Sequence, residues 1–296
     1  MGGIKYDPGE DIPELTGKVM FITGGTAGIG SESILLLAKH NPEHIYFSGR
    51  NSTAAEALTT KVKATSPNAA LTFVQCDQGS LASIKSAVEQ QFKHKRLDIL
   101  ICNTGIMDKP PGLTTDGYEI QFGLLPIMLQ TAAEPDSDVR IIMLTSLAFK
   151  IHPTSGIVFK DLKTTQPYRA FGGTLRYGQS KLAALVYARE LARRYPSITS
   201  VAIHPGVVQT SLVTDLSATH KAVVYISQLG KLLTPEQGAY TYNQVWAAVG
   251  DKPKGKPENG VFYEPVGMPG KLNTQAKNQK LASELWRWTE KELDAW

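Results

Sequence analysis

The 296-residue sequence predicts an α/β fold, a doubly wound parallel sheet with helices on both faces. Three observations point to it. Short apolar runs alternate with segments of helical period, which implies parallel strands joined by crossover helices. A glycine-rich turn lies directly between the first such run and the first helical segment, and no internal repeat or composition break interrupts the pattern. The chain therefore reads as a single domain over residues 1–296.

A polar arm holding Pro8 and Pro13 precedes the first strand, predicted at Lys18–Thr23. The glycine turn follows and feeds a helix over Ser31–His40, which Asn41-Pro42 ends because proline cannot continue a helix. Further strands are predicted at His44–Ser48, Leu71–Cys76, Leu97–Cys102, Val139–Thr145, Thr199–His204 and Gly260–Glu264. Ser80–Phe92 is the clearest helix, since Leu81, Ile84, Val88 and Phe92 fall on one face. Tyr177–Tyr195 is strongly helical, and Leu281, Leu285, Trp286, Trp288 and Leu293 form the stripe of a closing amphipathic helix. Beyond Pro205, residues 207–233 offer Val, Leu, Ile and Tyr with few charges. They read either as a surface excursion or as a substrate lid, because ligands of open α/β sheets bind beyond the carboxyl ends of the strands. Gly250–Lys256 is a Lys/Pro/Gly linker.

Composition excludes several functions. Charged residues make up 20% of the chain and the net charge is only +4, with basic residues scattered rather than gathered into a nucleic-acid footprint. The short clusters Lys93-His94-Lys95-Arg96 and Arg193-Arg194 sit at helix ends, where cations complement the dipole. The two cysteines, Cys76 and Cys102, lie in apolar runs and read as buried thiols of a reducing compartment. No uncharged apolar window reaches the roughly 18 residues of a membrane span, no signal-peptide core opens the chain, and Tyr6 stands where myristoylation wants Ser or Thr. The expectation is a cytoplasmic protein acting on a small molecule. His40, His44, His94, His152, His204 and His220 have no metal-ligand spacing, and no G-x-S-x-G surrounds Ser146, so neither a metal site nor a hydrolase triad is expected.

The turn reads Thr23-Gly24-Gly25-Thr26-Ala27-Gly28-Ile29-Gly30. Glycines let the backbone approach a pyrophosphate while the following helix offers free N–H groups and a positive dipole end. In most dinucleotide folds a carboxylate at the end of the second strand grips the ribose 2′-hydroxyl of NAD. Here that strand ends Tyr46-Phe47-Ser48-Gly49-Arg50-Asn51, with no acid before Glu56. A carboxylate would repel a 2′-phosphate and Arg50 would grip one, so NADP is favoured over NAD.

Tyr177 and Lys181, four apart on one helix, project from one face. A nearby ammonium would stabilise the phenolate and bring a tyrosine, ordinarily near pKa 10, toward catalytic range. Ser146 ends the fifth strand at the edge where a cofactor would lie. With Thr23–Gly30, Cys76-Asp77, Asn103-Thr104-Gly105 and Pro205-Gly206 in this order, the chain resembles the short-chain dehydrogenase/reductase family over nearly its whole length. Ser146-Leu147-Ala148 and the run Asp116–Gly123 look most like its retinol-dehydrogenase-like and fungal secondary-metabolism reductases.

The resemblance implies a Rossmann-type fold and a set of roles. Gly24, Gly28, Ile29 and Gly30 would line the pyrophosphate, Thr26 would belong to the same cofactor site, Asp77 would meet the adenine, and Asn103 and Gly105 would lie beside the riboses. Val208 and Thr210 would contact the nicotinamide carboxamide. Tyr177 would exchange the proton, Ser146 would hydrogen-bond the reacting oxygen, and Lys181 would hold the nicotinamide ribose.

One departure stands out. Family members carry a long helix between the fourth and fifth strands with an asparagine that completes a proton relay. Here Gln121-Phe122-Gly123 runs straight into Leu124-Leu125-Pro126, and no Asn occurs between Asn103 and Asn243. About a dozen residues are missing, on the order of 18 Å of helix. In the family this helix often builds the dimer contact, so its shortening counts against a homo-oligomer. The departure also keeps open a second function, an NADP-binding protein of impaired catalysis that works through protein contacts.

Overall fold

The central strands bury side chains on both faces, and that alternation organises the molecule. A computed structural model describes residues 3–105, 128–135, 137–166, 168, 172–206, 239–251 and 255–293. The strands are β1 (Val19–Ile22), β2 (His44–Gly49), β3 (Leu71–Gln75), β4 (Ile99–Cys102), β5 (Val139–Leu144), β6 (Ile198–Ile203), β7 (Phe262–Glu264) and β8 (Met268–Pro269). They form one sheet in the order β3-β2-β1-β4-β5-β6-β7-β8. All neighbours are parallel except β7 and β8.

The helices are α1 (Pro8–Asp11), α2 (Gly28–Leu37), α3 (Ser52–Thr65), α4 (Leu81–Gln91), α5 (Met128–Ala132), α6 (Gly172–Arg194), α7 (Ala239–Val249) and α8 (Gln279–Leu293). On one face Met20, Ile22, Ile45 and Phe47 pack with Ile34 and Leu37 of α2, Val62 of α3 and Trp246 of α7. On the other, Val19, Phe21 and Tyr46 join Ile84 of α4, Leu182 and Leu185 of α6 and Leu285 of α8. Period-two alternation thus feeds two cores, which is why the strands read as continuous apolar runs.

The predicted strands are all present, with ends shifted by one or two residues. Ser80 and Phe92 prove to be the caps of α4, the Ser80 hydroxyl accepting from Ser83 N at 3.3 Å. Helix α2 starts at Gly28, ahead of the predicted Ser31, because the last glycines of the turn form its first turn. It ends through a 3₁₀ turn at Asn41, which adopts a left-handed φ of 54°. Helix α6 begins at Gly172, ahead of the predicted Tyr177. Strand β8 was not foreseen, its two residues being too short to show a period.

Two of the predicted cation roles change. Arg193 and Arg194 end α6 as expected, but both pair with the fully buried Glu190 carboxylate, each at 2.7 Å. Arg96 lies beyond α4 and clasps Asp98 at 2.6 Å, while Asp98 also accepts from Val19 N at 2.9 Å and so ties β4 to β1. The closing helix packs as predicted: Trp286 stacks on Tyr187 with ring centroids 5.3 Å apart, beneath the Arg194 guanidinium. Both cysteines are free thiols. Among the described residues no helix is long and apolar enough to cross a membrane, and no cluster of three metal-ligating side chains occurs. The lid candidate 207–233, the Leu124-Leu125-Pro126 junction, Val208 and Thr210 lie outside the described residues.

Candidate active site

Strand order reverses between β1 and β4, and ligands of such sheets settle at the carboxyl edge beside this switch point. The glycine turn occupies that edge. Gly24 and Gly28 have φ of +64° and +58°, which a β-carbon would strain. Gly30 is constrained by space instead: a β-carbon there would stand 2.5 Å from the Gly24 carbonyl oxygen and 2.7 Å from the Asn103 amide nitrogen. Asn103 earns this proximity by donating its side-chain N–H groups to the carbonyls of Thr23 at 2.9 Å and Gly24 at 3.1 Å. The Thr23 hydroxyl accepts from the backbone N–H of Asn103 and of Thr104. Thr23, which opens the motif, thus also pins the turn to β4, a tie that its place in the sequence does not signal.

Helix α2 opens without a side-chain cap, since Ala27 occupies the N-cap, and no acid lies in its first turn. Its leading N–H groups and dipole end are left for an anion. Thr26 and Ile29 flank this opening. The cradle closed to β-carbons and the uncapped helix end together fit the diphosphate of a dinucleotide.

At the far end of β2, Arg50 is exposed, its carbonyl accepting from Gln75 Nε2 at 3.2 Å. Asp77 is exposed beyond β3 and accepts from Gly79 N at 2.9 Å. Between them Gln78 donates to Ser48 Oγ at 2.8 Å, a contact across the strand ends that the sequence did not signal.

Ser146, Tyr177 and Lys181 come together at the carboxyl end of β5. Thr145 Oγ1 donates to the Lys181 carbonyl at 2.7 Å and fastens α6 to the strand. Lys181 Nζ lies 5.5 Å from the Tyr177 ring centroid and donates to the Leu144 carbonyl at 3.3 Å. Gly105 sits close by, a β-carbon there standing 3.2 Å from the same ammonium. Ser146 Oγ accepts from Ala148 N at 3.2 Å and lies near enough to Tyr177 to favour its phenolate.

The electrostatics differ from the sequence expectation. Burial pushes the Tyr177 phenol up from its ordinary value, against the nearby Ser146 hydroxyl, which favours the phenolate. Burial also draws the Lys181 ammonium down to about 8. Desolvation, not the Lys181 charge, sets the direction for both groups. Of the predicted set, the structure brings together Gly24, Thr26, Gly28, Ile29, Gly30, Asn103 and Gly105 around the switch point and Ser146, Tyr177 and Lys181 beside it.

Comparisons with known proteins bear on this edge. The short chain dehydrogenase profile matches residues 18–121. An uncharacterized oxidoreductase of Schizosaccharomyces pombe is 34% identical over 95% of this chain and 86% of its own. Retinol dehydrogenase 12 of Mus musculus is 30% identical over 92% of this chain and 85% of its own. Polyprenol dehydrogenase of Homo sapiens is 30% identical over 93% and 84%. Among solved structures, a blue fluorescent protein from a metagenomic library, in complex with NADPH, aligns with a TM-score of 0.61 at 27% identity, over 86% of this chain and 98% of that one.

Proposed function

The chain belongs to the short-chain dehydrogenase/reductase family, whose members are NAD(P)-dependent oxidoreductases, and we propose that it uses NADP to interconvert a carbonyl and an alcohol on a small to medium, mostly apolar molecule. The observation that carries this reading is the gathering of Ser146, Tyr177 and Lys181 at the strand edge beside the glycine cradle, with Lys181 Nζ 5.5 Å from the Tyr177 ring centroid and within 3.3 Å of the Leu144 carbonyl. Tyr177 Oη gives the proton to the carbonyl oxygen in reduction and takes it back in oxidation. Ser146 Oγ donates to the same oxygen and holds it against Tyr177. Lys181 supplies positive charge behind the phenol and a donor toward the ribose hydroxyls. A nicotinamide held there would supply or accept the hydride at the substrate carbon. Gly24, Thr26, Gly28, Ile29 and Gly30 would hold the diphosphate, Asn103 and Gly105 the riboses, Asp77 the adenine, and Val208 and Thr210 the carboxamide.

For the cofactor, Arg50 stands where a carboxylate would select NAD, and the NADPH complex of the metagenomic neighbour supports the same preference. For the substrate, the names retinol dehydrogenase and polyprenol dehydrogenase point to apolar alcohols, in keeping with the apolar run 207–233. Resemblance to fungal reductases suggests a secondary metabolite.

A second reading rests on one feature, the direct passage from Gly123 to Leu124 where relatives of the family carry the asparagine helix. An NADP-binding protein with slowed proton delivery then acts through protein contacts. Purified protein is expected to bind NADPH and consume it with a panel of ketones and aldehydes, and Tyr177→Phe should abolish turnover while sparing binding. Binding without turnover on any panel member would select the second reading.

A further inference from the structure

Two side chains that bracket Tyr177 reach away from it to one buried residue. Arg176 Nη1 donates to the Gln166 carbonyl at 3.2 Å, and Gln179 Nε2 donates to Gln166 Oε1 at 2.9 Å. Gln179 Oε1 accepts from Val158 N at 2.9 Å, so both ends of its amide are engaged. Gln166, Arg176 and Gln179 are all buried, at 1%, 8% and 3% exposure. Gln166 holds a left-handed φ of 48°, a conformation that persists only where its surroundings over-determine it, and its Nε2 has no partner among the described residues. Val158 and Gln166 belong to the segment that leaves β5 through Ser146, whereas Gln179 rides on the helical turn of Tyr177. One amide therefore joins the serine's segment to the tyrosine's helix.

We propose that Gln179 is a positioning residue which, through Gln166 and Val158, sets the pose of Tyr177 against Ser146. The inference rests on the reading of Tyr177 as the proton-exchanging group, but its primary test does not need turnover. The protein, labelled with ¹³Cζ-tyrosine and free of nucleotide, gives a Tyr177 signal identified by its loss in Tyr177→Phe. Gln179→Ala is expected to move that signal. Gln166→Gly, which suits the left-handed backbone while deleting the acceptor, is expected to fold and to move it likewise. Gln179→Glu keeps the acceptor for Val158 N and accepts from the Gln166 amide turned over, using the N–H groups now unpartnered, so the signal should stay in place.

In turnover, Gln179→Ala should lower kcat roughly 10–100-fold, as a displacement of about 1 Å does, with NADPH affinity within about twofold and kcat restored by Gln179→Glu. A purely structural role would lower stability and leave the kcat of folded protein unchanged. A Tyr177 signal unmoved in Gln179→Ala and Gln166→Gly, or moved as far in Gln179→Glu, overturns the proposal. If Tyr177→Phe retains turnover, the catalytic reading of Tyr177 fails and the proposal with it. Loss of turnover in Tyr177→Phe with an unmoved signal sinks the positioning role alone.

Discussion

At Gly30 the backbone is an ordinary helical turn, so alanine would be tolerated by conformation and refused by space. The added carbon would press on the Gly24 carbonyl at 2.5 Å and on the Asn103 amide that holds it. Gly30→Ala is expected to weaken NADPH binding at least 10-fold and to destabilise the fold by about 1–3 kcal/mol, the usual range for overpacking; fluorescence titration and urea unfolding read the two effects. His204 makes a different single-residue argument. Its ring is buried at the end of β6 with Nδ1 unpartnered among the described residues, and burial, reinforced by the Lys150 charge, draws its pKa down to about 4. The unfolded chain protonates this group near 6.5 and the folded protein only near 4, so the unfolded state binds more protons across that window. Stability is full above pH 6.5 and falls as pH drops toward 4, by roughly 3 kcal/mol from this group. His204→Gln should flatten that part of the unfolding free energy against pH, and parallel curves for the two proteins would refute the assignment.

The docking of α8 onto α6 shows which elements a sequence reveals. The stripe of Leu281, Leu285 and Trp286 is periodic, and these three residues are buried as that period requires. The polar half of the contact was invisible because it joins distant positions: Gln279 Nε2 donates to the buried Glu190 at 2.6 Å across 89 positions. Hydrogen bonds to Arg193, Arg194 and Gln279 overcome the burial of Glu190 and hold its carboxyl at about 2. Trp286→Ala removes the ring stacked between Tyr187 and Arg194 and should cost about 3–5 kcal/mol in urea unfolding. NADPH affinity should be unchanged, because Trp286 packs against Tyr187 and Tyr195 toward the C-terminal end of α6, whereas Tyr177 lies near its start. The same division runs through the candidate site. The glycine turn and the Tyr177–Lys181 spacing are local and legible, whereas the Gln179–Gln166 contact and the Thr145 tie to Lys181 exist only once the chain folds back. The early start of α6 was also hidden, since Gly172-Gly173 have poor helix propensity and Arg176, reaching Gln166, steadies that turn from outside.

For the whole molecule, the reversal of strand order between β1 and β4 places the glycine turn, Asn103 and the β5 end on one edge of one sheet. Under the proposed assignments a dinucleotide laid along that edge would touch segments from β1, β2, β3, β4 and α6, and its binding energy would oppose unfolding of them all. Anything that binds only the folded state stabilises it by mass action, about 2.7 kcal/mol at 100 times Kd. NADPH at that excess should therefore raise the thermal midpoint by several degrees, whether or not the shortened connection before β5 slows catalysis. NADH at the same concentration should raise it less, because the Arg50 guanidinium gains nothing from a ribose that lacks the 2′-phosphate. Arg50→Asp should reverse that order by repelling the phosphate and accepting from the free hydroxyl. Equal shifts for the two nucleotides in the unaltered protein, or an order that Arg50→Asp leaves intact, would remove Arg50 from cofactor selection, and no shift with either would remove the dinucleotide from this edge.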